Sequence, residues 1–250
     1  MAPLATVKSG SLCQEWIIHH LAVTDSTNLA AAKLSAWHAV RADTQRKGRG
    51  RFERAWVSDR GGLWLSAVVP VGSAPGWQAL PLAVGLSVCQ VLRALGVGEL
   101  RMRWPNDILV GEKKLAGLLI EQFIPGLAVA GIGINVSNQP EKHNAVLKNQ
   151  TARLADLIHV APVLKDLTGL LLDELRATVQ QIETDGFASL IPAINELWGE
   201  PRRVELDLDG RLCAGIFSRV GTAGELELLD DAGQLVSYHA HQVRHLKELS

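Results

Sequence analysis

The chain has 250 residues, 47% of them hydrophobic and 20% charged, a balance that supplies a buried core and excludes a disordered or fibrous protein. Its 25 Lys+Arg against 26 Asp+Glu leave a net charge of −1, so the molecule as a whole offers no basic footprint for holding a long polyanion such as DNA. The apolar runs Ala79 to Val97 and Ile124 to Val136 are interrupted or too short to cross a bilayer.

Gln14 and Glu15 interrupt any signal-peptide apolar region after Lys8, and the widely separated Cys13, Cys89 and Cys213 suit neither a disulfide framework nor CxxC metal knuckles. The expected location is the reducing cytoplasm. In chain order, Asp25 to Ala39 (DSTNLAAAKLSAWHA) predicts a helix, with polar residues to cap its start and alanines to favour it. Residues 41–62, rich in Gly and Arg, predict an irregular basic loop leading into a buried strand, Leu63 to Val69. The apolar spacing of Pro81 to Leu95 predicts a helix buried on most sides.

Four short strands follow, Leu100 to Trp104, Ile108 to Val110, Leu115 to Phe123 and Leu127 to Val136, which predict a mostly antiparallel sheet of sequence neighbours. Thr151 to Trp198 reads as helical, with Leu164, Leu167, Leu171 and Leu175 at three- or four-residue spacing and a break at Gly186. Beyond Gly199 to Pro201, RRVELDL, RLCAGIFSRV, GELELLD and QLVSYHA predict four alternating strands of a small β barrel. The expected organisation is an α+β domain over residues 1–199 and a small all-β domain over residues 200–250. About 20 residues precede the first chemistry-bearing segment, too few for a helix-turn-helix.

The most unusual segment is QRKGRGRFER, residues 45–54, in a window from Arg41 to Arg60 that holds seven basic residues against three acids. Gly48 and Gly50 allow close backbone approach, and Arg49 and Arg51 carry forked donors suited to a carboxylate or phosphate. A plain solvated loop is the competing reading. In Arg103-Trp104-Pro105-Asn106-Asp107, the proline sets an amide and a carboxylate at a turn near a strand end. Lys114 opens a strand of small and apolar residues, where it would act as a point charge if it faced a cleft.

Gly131 and Gly133 in GIGIN suggest either close strand packing or a ligand lying on the backbone. They do not make a dinucleotide fingerprint, because the third glycine and the following helix are missing, and no P-loop or nucleophile elbow occurs elsewhere. His239, His241 and His245 read as solvent-facing rather than as a metal site.

Taken in order, DSTN at 25–28, QRKGRGRFERAWVS at 45–58, RWPNDILVGEKKLAGLLIE at 103–121 and GIGIN at 131–135 resemble biotin protein ligases. GIFSRVGTAGEL at 215–226 is similar to the family's small SH3-like β barrel. The resemblance implies the class II synthetase-like biotin/lipoate ligase fold, a mixed and mostly antiparallel sheet with helices. It also implies a two-step reaction in which biotin and ATP form biotinyl-AMP, and a lysine of the biotin carboxyl carrier domain of acetyl-CoA carboxylase or a related carboxylase then takes the acyl group.

Carried over by motif, Ser26, Thr27, Asn28, Gln45, Arg49, Gly50, Arg51, Lys114 and Gly117 would bind biotin. Arg51, Arg54, Trp56, Asn106, Lys114 and Asn135 would bind ATP. Lys114, Arg49 and Arg51 would be catalytic, and Asp107 would meet Mg2+ brought by ATP. Residues 45–54 would order on ligand binding. The sequence departs from the family at Glu53, where glycine is usual, at Arg103, where lysine is usual, and at His241-Gln242-Val243-Arg244. The implied enzyme lacks operator binding and membrane attachment, and a homodimer is left open. The rival readings are a lipoate ligase, an ATP-independent acyl transferase of the same fold, and an RNA binder built on the Arg-rich loop and the β barrel.

Overall fold

The computed structural model describes residues 15–72, 79–147 and 149–249; Lys8, Cys13 and Gln14 lie outside them. Seven strands form the main sheet: β1 (Ile17–Thr24), β2 (His38–Gln45), β3 (Leu63–Pro70), β4 (Leu100–Arg103), β5 (Asp107–Val110), β6 (Lys113–Ile124) and β7 (Leu127–Ile134). Their order across the sheet is β1-β2-β3-β7-β6-β5-β4. All neighbours are antiparallel except β1 and β2, which run parallel. The sheet is thus mixed and mostly antiparallel.

The period-2 geometry of strands sends alternate side chains to opposite faces. Leu63, Leu65, Ala67 and Val69 of β3, with Ala128, Ala130, Ile132 and Ile134 of β7, enter the main core. That face is covered by helices α2 (Leu80–Ala94) and α3 (Leu164–Asp185). Eleven of the fifteen residues of α2 are buried, as its nearly charge-free sequence predicts. Among them, burial pushes the Cys89 thiol up to about 12, which makes it inert packing. In α3 the buried Leu167, Leu171, Leu172, Leu175 and Val179 fall on one stripe. Each such side chain contributes roughly 1.5–3 kcal/mol by leaving water.

The opposite face carries α1 (Thr27–Ala31), seated on a small apolar cluster of Ala31, Val40, Val68 and Val129. The helix predicted from Asp25 to Ala39 is therefore only one turn long. Trp37 takes a positive φ of 67° and the chain enters β2 at His38. Ala39, Val40 and Ala42 are buried between β1 and β3, so the C-terminal end of the predicted helix is instead the start of a strand. β1 itself was not expected; its IIHHLAVT lies at the sheet edge with no residue buried and no alternating burial, so it carries no clear apolar period.

Helix α4 (Ile191–Trp198) leads into a second, five-stranded antiparallel sheet. Its strands are β8 (Arg202–Leu208), β9 (Arg211–Val220), β10 (Leu226–Asp230), β11 (Leu235–Tyr238) and β12 (His245–Glu248), in the order β11-β10-β9-β8-β12. The first four match the predicted strands; β12 is additional, four residues too short to show a period. The two sheets share one core. The Trp198 and Phe217 rings lie 3.9 Å apart, and the Trp104 indole N–H donates to the Gly224 carbonyl at 3.0 Å.

Candidate active site

A cavity of about 470 Å³ opens on the α1 face of the main sheet, within the range of small-molecule sites. All the expected site residues line it: Ser26, Thr27, Asn28, Gln45, Arg49, Gly50, Arg51, Arg54, Trp56, Asn106, Asp107, Lys114, Gly117 and Asn135.

Its floor is made of glycines. Gly117 of β6 and Gly133 of β7 are cross-strand partners, and the Trp56 indole lies on both: a Cβ at Gly117 would sit 3.0 Å from Trp56 Cζ3, and one at Gly133 would sit 2.7 Å from Trp56 Nε1. Gly131, two residues before Gly133 and so on the same face, carries Asn28, whose Oδ1 would be 2.4 Å from an added Cβ. The two glycines of GIGIN are required because other side chains rest on the strand.

At one end, Gln45 Oε1 accepts from the Thr27 backbone N–H at 2.8 Å, and Gln45 Nε2 donates to Ser58 Oγ at 2.9 Å. Ser66 Oγ stands 2.7 Å from Thr27 Oγ1 and 2.6 Å from Asn28 Oδ1. Asn28 Nδ2 donates to the Leu119 carbonyl and to Glu121 Oε2 at 3.2 and 2.7 Å. Both amide hydrogens of Asn28 are thus engaged by protein, and it braces the cavity. Ser26 is buried at the start of α1, with its hydroxyl making no cap.

Part of the expected basic loop is ordered as a short hairpin. Arg49 and Ala55 form a bridge, Gly50 N–H donates to the Arg54 carbonyl at 2.7 Å, and Trp56 N–H donates to the Gly48 carbonyl at 2.8 Å. The hairpin's arginines differ in their partners. Arg49 donates to Glu121 at 2.9 Å, whereas Arg51 donates to the carbonyls of Ala240 and Val243, which join the second sheet to the site. Burial lowers the Arg51 pKa, with the neighbouring Arg54 acting in the same direction, yet a guanidinium stays charged. Among the described residues, neither Arg51 nor Arg54 has a carboxylate within ion-pair distance.

At the other end, Lys114 Nζ meets Asp107 Oδ1 at 2.6 Å and Arg103 meets Asp107 Oδ2 at 2.8 Å. Burial alone would raise the Asp107 pKa, but Lys114 and Arg103 outweigh it and hold the carboxyl below its ordinary value. The Lys114 ammonium also lies 4.9 Å from the Trp56 ring centre. Asn106 Nδ2 donates to the Leu118 carbonyl at 2.9 Å, and Asn135 Oδ1 accepts from Asn138 at 2.9 Å.

A resident metal does not fit this surrounding. Both Asp107 oxygens face cations, and the described residues contain no group of three or more potential metal ligands. Asp107, expected to meet Mg2+ brought by ATP, is held here between Lys114 and Arg103.

Sequence reasoning missed Ser66, Ser58, Glu121 and His245. A serine inside the apolar run LWLSAVV was the available signal for Ser66, and Glu121 closes a recognised motif without having been given a role. His245, on β12, enters the cavity wall from the strand that was not predicted; burial, then Arg54 and Arg103, lower its pKa.

Comparison with known proteins places this geometry. Residues 21–138 match the biotin/lipoate A/B protein ligase family. The biotin--[acetyl-CoA-carboxylase] ligase of Mycobacterium tuberculosis is 35% identical over 214 residues, covering 82% of this chain and 78% of that protein. The chain belongs to the biotin/lipoate A/B protein ligase family. Another biotin--[acetyl-CoA-carboxylase] ligase, from Paracoccus denitrificans, is 33% identical over 86% of this chain and 92% of its own length. Among solved structures, the biotin protein ligase from Aquifex aeolicus in complex with biotin and ATP superposes with a TM-score of 0.83 at 25% identity, covering 93% of this chain and 99% of that one. The α+β architecture with its second antiparallel sheet is that of the family.

Proposed function

We infer that the protein is an ATP-dependent biotin protein ligase, which activates biotin as biotinyl-AMP and transfers it to a lysine. The observation that carries this reading is the convergence of four sequence-distant motifs on one cavity, in a chain whose relatives are named as biotin ligases.

We propose that biotin occupies the end walled by Thr27, Gln45 and Arg49, and ATP the end walled by Asn106, Lys114 and Asn135, with the hairpin of Arg51 and Arg54 across their junction. An oxygen of the biotin carboxylate attacks the α-phosphorus of ATP, and the bond to pyrophosphate breaks. The amine nitrogen of the acceptor lysine then attacks the acyl carbon, the bond to AMP breaks, and the nitrogen gives up a proton as the amide forms. Two anions meet in the first step, so charge held in place beforehand lowers its barrier. Arg51 and Arg54 meet that need with charge that no carboxylate of the described residues pairs with directly, and Lys114 meets it from a position set by Asp107.

Mg2+ in this reading arrives as part of the ATP substrate. The acceptor is a biotin carboxyl carrier domain of acetyl-CoA carboxylase or a related carboxylase. Residues 1–199 form the catalytic unit, and residues 200–250 serve it through the carbonyls that hold Arg51. A cytoplasmic location agrees with the free thiols of Cys89 and Cys213 and with the described residues having no helix long and apolar enough to cross a membrane. The test is mass spectrometry of a purified carrier domain after incubation with enzyme, biotin and ATP. A gain of one biotinyl group on one lysine is expected; an unmodified carrier, or, in a parallel incubation with lipoate in place of biotin, a carrier that is modified only with lipoate, overturns the reading.

A further inference from the structure

Glu121 is the carboxylate on which both sides of the proposed biotin end converge. Its Oε2 accepts from Asn28 Nδ2 at 2.7 Å, and the Arg49 guanidinium meets Oε1 at 2.9 Å and Oε2 at 3.2 Å. Asn28 belongs to α1, Arg49 to the hairpin and Glu121 to β6, so one side chain joins three elements. The Glu121 and Arg49 side chains are each 24% exposed. At that burial a charge-assisted hydrogen bond is stronger than its surface counterpart.

The remaining contacts of the two partners are unequal. Asn28 is also tied to Ser66 and to the Leu119 carbonyl. Arg49 has one further carboxylate nearby, Glu53, at 3.7 Å on a side chain that is 84% exposed, and its Nε is buried with no partner. Without Glu121, Arg49 would keep only that loose contact, whereas Asn28 would keep two bonds. Glu121 also neutralises Arg49, so Arg49 adds less net positive charge to the cavity than its formal charge implies.

We propose that Glu121 is a positioning residue for biotin: it fixes the Arg49 guanidinium against α1 and leaves Nε as the buried donor that a substrate oxygen completes. The assignment rests on biotin occupying the α1 end of the cavity. Its test is biotin-dependent ATP–pyrophosphate exchange, read as separate KM values for biotin and ATP.

Glu121→Ala is expected to raise the KM for biotin about tenfold or more, the equivalent of losing one charge-assisted hydrogen bond, and to change the KM for ATP by less than about threefold. Glu121→Asp should recover part of the loss, and Glu121→Gln, which keeps the shape without the charge, should fall between wild type and Glu121→Ala. Because Glu121 acts through Arg49, the double variant Arg49→Ala/Glu121→Ala should be no worse than Arg49→Ala alone. Losses that multiply in the double variant, equal rises in both KM values, or wild-type behaviour of Glu121→Ala each overturn the assignment. Absence of exchange in the wild-type protein would instead overturn the ligase reading itself.

Discussion

Lys114 Nζ and Asp107 Oδ1 stand 2.6 Å apart across the β5–β6 hairpin, with side chains only 26% and 15% exposed. The pair binds the ammonium to the cavity wall and makes its position, rather than its free charge, the property the site uses.

Asp107→Asn should therefore be costly. It leaves Lys114 and Arg103 facing each other without the carboxylate between them, and breaking a buried pair costs about 3 kcal/mol or more. The pH dependence has a definite sign. The Asp107 carboxyl is held below its ordinary value in the folded state, so its contribution is fully present above the unfolded pKa of about 3.9 and is lost as pH falls through the lower folded value. Urea unfolding at pH 7 and at pH 3 should show a larger drop for wild type than for Asp107→Asn; equal drops would contradict the depressed pKa.

Lys114→Ala is expected to lower the rate of biotin-dependent pyrophosphate release by about 100-fold or more, the effect of removing one preorganised cation from a transition state. Circular dichroism should show the fold retained, since Arg103 still meets Asp107. Pyrophosphate release within a few-fold of wild type would remove Lys114 from the chemistry.

The glycine floor gives an independent test. A Cβ at position 131 would lie 2.4 Å from Asn28 Oδ1, and one at 133 would lie 2.7 Å from Trp56 Nε1. Overpacking of this kind costs about 1–3 kcal/mol. Gly131→Ala should weaken biotin binding in calorimetry, and Gly133→Ala should weaken ATP binding more than biotin binding. Unchanged binding by both variants would mean that the floor does not shape the site.

Glu53 occupies a left-handed conformation with φ of 57°, next to Phe52 at 53°. A non-glycine residue there is disfavoured by about 1–2 kcal/mol, and the exposed contact with Arg49 at 3.7 Å returns little. Glu53→Gly should raise the melting temperature by a few degrees or leave it unchanged, because the added chain entropy of glycine offsets part of the relief. A marked fall would show that Glu53 supports the hairpin.

The legibility of the molecule divides along physical lines. Helices α2 and α3 are readable because each is long and one-sided or wholly apolar, so the period survives in the residues themselves. Segment 25–39 is not, because its alanines favour a helix that stops after one turn at Ala31, and the positive φ of Trp37 and the pairing of His38 and Ala39 with β1, which redirect the chain, depend on tertiary neighbours. In the site, Lys114, the hairpin arginines and the paired glycines could be singled out by their chemistry. Ser66, Glu121 and His245 could not, since a serine in a strand, a glutamate at a motif's end and a histidine near the C-terminus are ordinary until something faces them.

By itself, the sequence determined the set of reactive groups and their order along the chain, because residue type and short-range spacing carry that information. The tertiary structure alone decided which cations pair directly with a carboxylate. Arg49 meets Glu121 across 72 residues, and Arg51 meets the Ala240 carbonyl across 189, one charge paired directly with a carboxylate and the other held by backbone carbonyls without an ion pair. Electrostatic compensation depends on separations of a few ångströms through space, and chain folding sets those separations independently of distance along the sequence.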